Sequence, residues 1–326
     1  MKRLCMEKLV EWKHSPSRKP LLLTGARQVG KTWLVKEFGR TQFKSLAYIS
    51  FESNERMARL FAGDITPSRL IPALSLEAGV PIQPASTLVV FDEVQEVPRA
   101  LTSLKYFNEN APEYAVIATG SSLGVTVHPG TSFPVGQVHF QKLYPLSFRE
   151  FLMACGEEGL SDLIADADTE MMSVFHERIL EQLKYYLIIG GMPEAVREFA
   201  EARPAVDFRR IGEVQARILR NYRDDFSKHS QLAPRGLPLR LNQVWDSIPS
   251  QLSRENKKFM YTAVRESGRG RDFELAIQWL VDTSLALKAT RLVTPQYPLK
   301  MHEDFASFKL FLSDVGLLRT MAGINP

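Results

Sequence analysis

The run Gly25-Ala-Arg-Gln-Val-Gly-Lys31-Thr32 sets two glycines, a lysine and a hydroxyl at a spacing suited to holding phosphate. Glycines let the backbone come close to a ligand, and the free N–H groups of a loop that opens a helix form an anion cradle. Gly25, Ala26, Arg27, Gln28, Val29 and Gly30 supply that loop. Lys31 is then placed to neutralise the β- and γ-phosphates of a nucleotide, and the Thr32 hydroxyl to ligate Mg²⁺.

A second group lies 61 residues after Lys31, where the apolar Leu88-Val-Val-Phe91 ends in Asp92 and Glu93. Asp92 can hold Mg²⁺ through water, and Glu93 can orient and polarise an attacking water, the pairing expected of P-loop enzymes that hydrolyse. A third, Val116-Ile-Ala-Thr119-Gly-Ser121-Ser122, carries hydroxyls at the end of an apolar run. Thr119 or Ser121 either bonds the γ-phosphate or the water, or belongs to a polar turn after a strand, and both readings stay open. Arg27, Arg56, Arg59 and Arg99 are candidates for a cation that completes such a site, and spacing does not select among them.

These groups need a scaffold. Pro20–Thr24, Leu46–Phe51, Thr87–Phe91 and Tyr114–Ala118 are apolar runs of strand length, and Lys31–Phe38 reads as a helix. Continuous apolar strands with helices between them indicate an α/β fold with a parallel sheet covered on both faces, over residues 1–150. Beyond that point the composition shifts: Glu150 to Gln182 holds nine acidic residues against one basic, and residues 151–235 read as helical. Gly190-Gly-Met-Pro193 is expected to be a turn.

Residues 236–326 have their own pattern. Leu241, Val244, Trp245, Ile248 and Leu252 recur at helical spacing, Lys257–Val264 is a second expected helix, and Asp272 is expected to cap a third carrying Phe273, Ile277 and Leu280. Leu287–Val293 and Phe308–Leu312 read as strands. Three helices followed by a β-hairpin is the outline of a winged helix. Arg254, Lys257, Lys258, Arg265, Arg269 and Arg271 suit either DNA phosphates or a solvated face, and Arg209, Arg210, Arg217, Arg220 and Arg223 carry the same ambiguity along another expected helix.

Composition excludes several classes. The 326 residues are 44% apolar and 24% charged, which is globular, and a net charge of +4 permits a polyanionic partner without demanding one. Cys5 and Cys155 are too few for a disulfide framework or a zinc site and fit a cytoplasmic protein. No apolar run approaches the roughly 20 residues of a spanning helix, so no membrane association is expected.

The chain resembles the prokaryotic AAA-superfamily ATP-binding proteins that join a P-loop core to a C-terminal domain of unknown function. The stretches that carry the likeness are Thr24–Thr32, Phe91-Asp-Glu-Val-Gln95, Thr119-Gly-Ser-Ser122, Leu143-Tyr-Pro-Leu-Ser-Phe-Arg-Glu-Phe-Leu152, Gly190-Gly-Met-Pro-Glu194 and Leu312-Ser-Asp-Val-Gly-Leu-Leu318. The resemblance implies a sheet of the AAA type, ATP with Mg²⁺ as cofactor, and a winged-helix-like module near residues 240–295. By position it implies nucleotide and metal binding by Lys31 and Thr32, a second motif at Asp92 and Glu93, and a sensing strand at Thr119 or Ser121.

Two departures accompany it. Relatives place a basic residue after a glycine ahead of the Pro-Leu-Ser-Phe string where this chain has Gly136-Gln137, which implies slow hydrolysis if that cation senses charge. Relatives also continue into an endonuclease-like segment where this chain stops at Asn325-Pro326, which implies a truncated C-terminal domain. The leading expectation is a cytoplasmic Mg²⁺-dependent ATPase whose nucleotide state rearranges the C-terminal half. The alternatives are a DNA-binding regulator switched by ATP with little turnover, and a truncated remnant that keeps ATP binding. AAA-type sites often take an arginine from a neighbouring subunit, so a monomer and a homo-oligomer both stay open.

Overall fold

A computed structural model describes residues 1–121, 136–228 and 236–324, so Ser122 and the Asn325-Pro326 ending lie outside the described residues. Lys2–Leu143 form one compact unit and the chain from Tyr144 onward forms another.

The first unit runs α1 (Cys5–His14), β1 (Leu21–Thr24), α2 (Lys31–Gln42), β2 (Ser45–Ser50), α3 (Glu55–Ala62), α4 (Pro67–Ala78), β3 (Thr87–Asp92), α5 (Pro98–Asn110), β4 (Ala115–Gly120) and β5 (His139–Lys142). The five strands are parallel in the order β2-β3-β4-β1-β5. Every residue of β3 and β4 is buried, which explains why they read as unbroken apolar runs: parallel strands covered on both faces have no solvent side to alternate with.

The register sets the chemistry. Thr24 of β1 pairs with Gly120 of β4, and Phe91 of β3 with Ala118 of β4. The carboxyl ends of β1, β3 and β4 therefore lie side by side, so the loop after β1, the carboxylates after β3 and the hydroxyls of β4 meet at one edge of the sheet, where open α/β sheets bind ligands. Beneath that edge Phe51, Phe61, Phe91 and Phe107 pack edge to face, with centroids from 5.3 to 6.1 Å apart. Such pairs add to area burial and fix the strand ends.

Strand β5 was not foreseen. His139-Phe-Gln-Lys142 has no continuous apolar run, and Phe140 is exposed at the sheet's edge. It pairs with β1 alone and none of its four residues is fully buried, so the apolar signal that marks the central strands is missing.

The second unit runs α6 (Phe148–Ala154), α7 (Glu158–Asp166), α8 (Thr169–Val174), α9 (His176–Ile189), α10 (Pro193–Ala202), α11 (Phe208–Lys228), α12 (Leu237–Leu252), α13 (Tyr261–Val264), α14 (Gly270–Asp282), β6 (Ala286–Leu292), β7 (Glu303–Leu312) and α15 (Val315–Met321). Ser147 and Glu150 form a reciprocal capping box at the start of α6, Ser147 Oγ accepting the Glu150 N–H and Glu150 Oε2 accepting that of Ser147. The Ser-Phe-Arg-Glu part of the string is thereby a helix start signal. Tyr222 and Phe226 of α11 pack edge-on against Trp245 of α12, and Phe226 also against Trp279 of α14.

Helices α12 to α14 followed by the antiparallel β6–β7 pair give the expected helical region with a small hairpin. Two details differ. The Phe259 N–H donates to the Phe308 carbonyl at 2.8 Å, which holds the chain extended beside β7 and restricts the second helix to Tyr261–Val264. Asp272 sits inside the first turn of α14 rather than before it, and its carboxylate accepts the Arg269 N–H at 3.0 Å. Among the described residues no helix is long and apolar enough to cross a membrane.

Candidate functional site

The loop from Gly25 to Gly30 bends out of β1 and re-enters as α2. Gly25 holds φ at +151°, and a Cβ there would lie 2.1 Å from the Leu143 carbonyl oxygen, so the loop's first position is closed to any side chain. Val29 is fully buried beneath the loop, and its carbonyl accepts a hydrogen bond from the buried Arg3 guanidinium at 2.8 Å. Gly30 is the N-cap of α2, and Lys31 and Thr32 are its first two residues. Lys31 Nζ donates to the carbonyls of Gly25 and Ala26 at 3.0 and 2.9 Å. The ammonium thus lies over the loop's own backbone, in the space that a bound anion would share.

Asp92 ends β3 and gathers three hydroxyls. Thr32 Oγ1 donates to Asp92 Oδ2 at 3.0 Å, Tyr48 Oη to the same oxygen, and Thr119 Oγ1 to Oδ1. Glu93 follows in a left-handed conformation, φ 53°, which a non-glycine residue adopts only when its surroundings enforce it. Its carboxylate is held from both sides, by Gln95 Nε2 at 2.5 Å and Ser121 Oγ at 3.5 Å. Thr119 is fully buried, and its hydroxyl also accepts the Glu93 N–H at 3.4 Å. The structure therefore joins Lys31, Thr32, Asp92, Glu93, Thr119 and Ser121 into one edge of the sheet.

A cleft of about 370 Å³ opens there, lined by Arg27, Gln28, Gly30, Lys31, Thr32, Glu52, Glu93 and Glu96. Burial pushes the Lys31 ammonium down to about 8, against the raising effect of Glu93 and Asp92, with Arg27 adding to the fall. Burial and the Asp92 carboxylate together push the Tyr48 phenol well above its ordinary value. Among the described residues no cluster of acidic, histidine or cysteine side chains could hold a metal alone. Thr32 Oγ1 and Asp92 Oδ2 are hard oxygen donors 3.0 Å apart, which fits Mg²⁺ in the mode where phosphates and water complete its shell.

The arginine candidates separate. Arg27 lines the cleft. Arg56 pairs with Glu77 at 3.2 Å, Arg59 bonds the Glu55 carbonyl, and Arg99 the Gly63 carbonyl at 2.7 Å. The side chain of Gln137 accepts from Asn108 Nδ2 at 2.5 Å. On α11, Arg210 pairs with Glu198 and Arg223 with Asp246, each at 2.6 Å, so that row of arginines includes ion pairs to neighbouring helices. Tyr48, Gln95, Glu52 and Glu96 belong to the site and were not foreseen. Gln95 carried a signal, since it ends the Asp-Glu-Val-Gln string; Tyr48 carried none, being one residue of an ordinary strand.

Residues 17–152 match the family model of an AAA domain, and residues 180–326 match that of a domain of unknown function (DUF8612). No curated protein matches the sequence. Among solved structures, the Aeropyrum pernix ORC1 protein in complex with DNA aligns with a TM-score of 0.35 and 14% identity, covering 98% of this chain and 90% of that one. AMPPCP-bound DnaA from Aquifex aeolicus aligns with a TM-score of 0.37 and 14% identity, covering 86% of this chain and 88% of that one. Both likenesses are remote.

Proposed function

We propose, from an AAA domain followed by a domain of unknown function, that the chain binds ATP with Mg²⁺ at the β1–α2 loop and hydrolyses it. The observation that carries this reading is the Thr32–Asp92 contact of 3.0 Å beside a buried Lys31 folded over the loop carbonyls. Lys31 turns from those carbonyls to the β- and γ-phosphates, and the loop amides from Gly25 to Gly30 surround the phosphate chain. Thr32 and Asp92 hold the metal, which when bound neutralises charge on the triphosphate. Glu93 orients the attacking water and takes its proton, while Gln95 and Ser121 fix the carboxylate's direction. Phosphate release by the wild type, lost in Lys31→Ala, is the expected result. Equal, non-zero rates would assign the activity elsewhere.

A second reading, a DNA-binding regulator switched by ATP, is favoured by a groove of the C-terminal unit lined by Asn256, Lys258, Thr290, Arg291, Ser307 and Lys309. Three cations converge there, whereas the outward face of α14 mixes Arg271 with Glu274. Salt-dependent binding to duplex DNA, lost when Lys258, Arg291 and Lys309 are neutralised together, supports it; tight ATP binding without turnover separates it from the first. A homo-oligomer is checked by mass in solution with and without Mg²⁺-ATP.

A further inference from the structure

Trp33 is 45% exposed, whereas Trp12, Trp245 and Trp279 are exposed by 6%, 1% and 4%. Leaving so large an apolar surface in water forgoes the stabilisation of burial, and a planar ligand face laid on the indole would recover it. Among the described residues no hydrogen bond, ring contact or cation contact engages the indole.

Its place on α2 narrows what that ligand is. Lys31, Thr32 and Trp33 are the first three residues of the helix, and their side chains fan around the axis about 100° apart. Lys31 turns to the loop carbonyls and Thr32 to Asp92, so these two define the end that takes the terminal phosphates and metal. Trp33 follows Thr32 directly on the same first turn. Side chains in a helix lean toward its N-terminus, which brings the indole toward the loop.

Trp33 lies beyond the residues that line the cleft, and the lining itself offers a base no apolar side chain. That lining is Arg27, Gln28, Gly30, Lys31, Thr32 and three glutamates, all polar or without a side chain. Among them Arg27, Lys31 and Thr32 suit a triphosphate and its metal, but a purine would find no apolar face in this lining.

We propose that Trp33 is the platform on which the nucleotide's base stacks, and that the ligand is recognised at two ends, phosphates by the loop and a purine ring by the indole. This rests on the reading of the cleft as a nucleotide site. Because every base has a π-face, stacking favours a nucleoside triphosphate over a bare polyphosphate without choosing strongly between adenine and guanine.

The test uses the full chain and two probes, Mg²⁺-ATP and Mg²⁺-tripolyphosphate, the second having no base. Tryptophan emission quenched by acrylamide reports chiefly on the accessible Trp33. Mg²⁺-ATP is expected to protect it and Mg²⁺-tripolyphosphate to leave it accessible. Trp33→Leu is expected to bind ATP about tenfold more weakly with tripolyphosphate affinity within twofold, and Trp33→Phe to recover most of the loss. ATP binding of equal strength in wild type and Trp33→Leu, with unprotected emission, would overturn the platform and leave the nucleotide site standing. Failure of both probes to bind the wild type would overturn the site and the platform together. Thermal unfolding of Trp33→Leu at the wild-type temperature verifies that the variant folds.

Discussion

Tyr48 Oη and Thr32 Oγ1 donate to the same oxygen of Asp92, one from the neighbouring strand and one from the helix that follows the loop. The carboxylate expected to serve the metal is thus oriented by a phenol on β2, three strands from β1, and Lys36 Nζ lies 4.0 Å from the centre of that phenol ring. Groups behind a metal ligand fix its direction, and their removal commonly costs 10- to 100-fold in metal affinity.

Tyr48→Phe is therefore expected to raise the Mg²⁺ concentration that half-saturates phosphate release by about tenfold. The ring and its packing remain, so the unfolding midpoint should move little. An unchanged Mg²⁺ dependence would show that Asp92 needs no help from the phenol.

Lys31 couples nucleotide binding to protons. In the free protein its ammonium is pushed down to about 8, and a phosphate partner raises it again. Binding then takes up a proton between those two values, so affinity for Mg²⁺-ATP should hold below about pH 8 and fall above it, by up to tenfold per pH unit. Calorimetry at pH 8.5 in two buffers of different ionisation enthalpy reads the uptake directly. Identical heats in both buffers would rule it out.

Gly25→Ala is expected to disable the loop. The added methyl meets the Leu143 carbonyl oxygen at 2.1 Å, and that atom belongs to backbone that cannot rotate aside. Strain of this kind costs about 1–3 kcal/mol where the chain can yield. Both a lower urea midpoint and weakened Mg²⁺-ATP binding should follow, and a variant with wild-type values in both would contradict the geometry.

What could be read from the chain followed burial. Strands β1, β3 and β4 were legible because both faces are covered, edge strand β2 because Leu46, Ala47 and Ile49 keep it apolar, and the glycine loop because its glycines answer a local backbone demand. Edge strand β5 and the hydroxyl of Tyr48 left no such mark, since one faces partly outward and the other acts across strands. The second unit hides its logic in separation. Gly190-Gly-Met-Pro193 and Leu312-Ser-Asp-Val315 stand far apart in the chain, yet Gly191 N–H donates to Asp314 at 2.6 Å, and Gly191 accepts the Leu146 N–H at 2.7 Å. Three distinctive strings thus form one clasp, a relation that no spacing rule contains.

That clasp makes stability depend on pH in an unusual direction. Asp314 is buried at the start of α15, where it accepts the N–H groups of Leu317 at 2.8 Å and Gly191 and faces those of Gly316 and Met192. Burial nonetheless outweighs these donors and pushes its carboxyl up to about 6 from an ordinary 3.8. The folded state therefore holds the proton more tightly than the unfolded chain, so this residue's contribution is fullest below about pH 4 and is lost as pH rises through about 6. A shift of this size corresponds to about 3 kcal/mol. Asp314→Asn removes the titration while other carboxylates remain in both proteins. Urea midpoints at pH 7, 6, 5 and 4.5 should show the wild type gaining on Asp314→Asn as the pH falls from 6 toward 4. A difference that stays constant across that range would mean that the amides around Asp314 already compensate its charge in full.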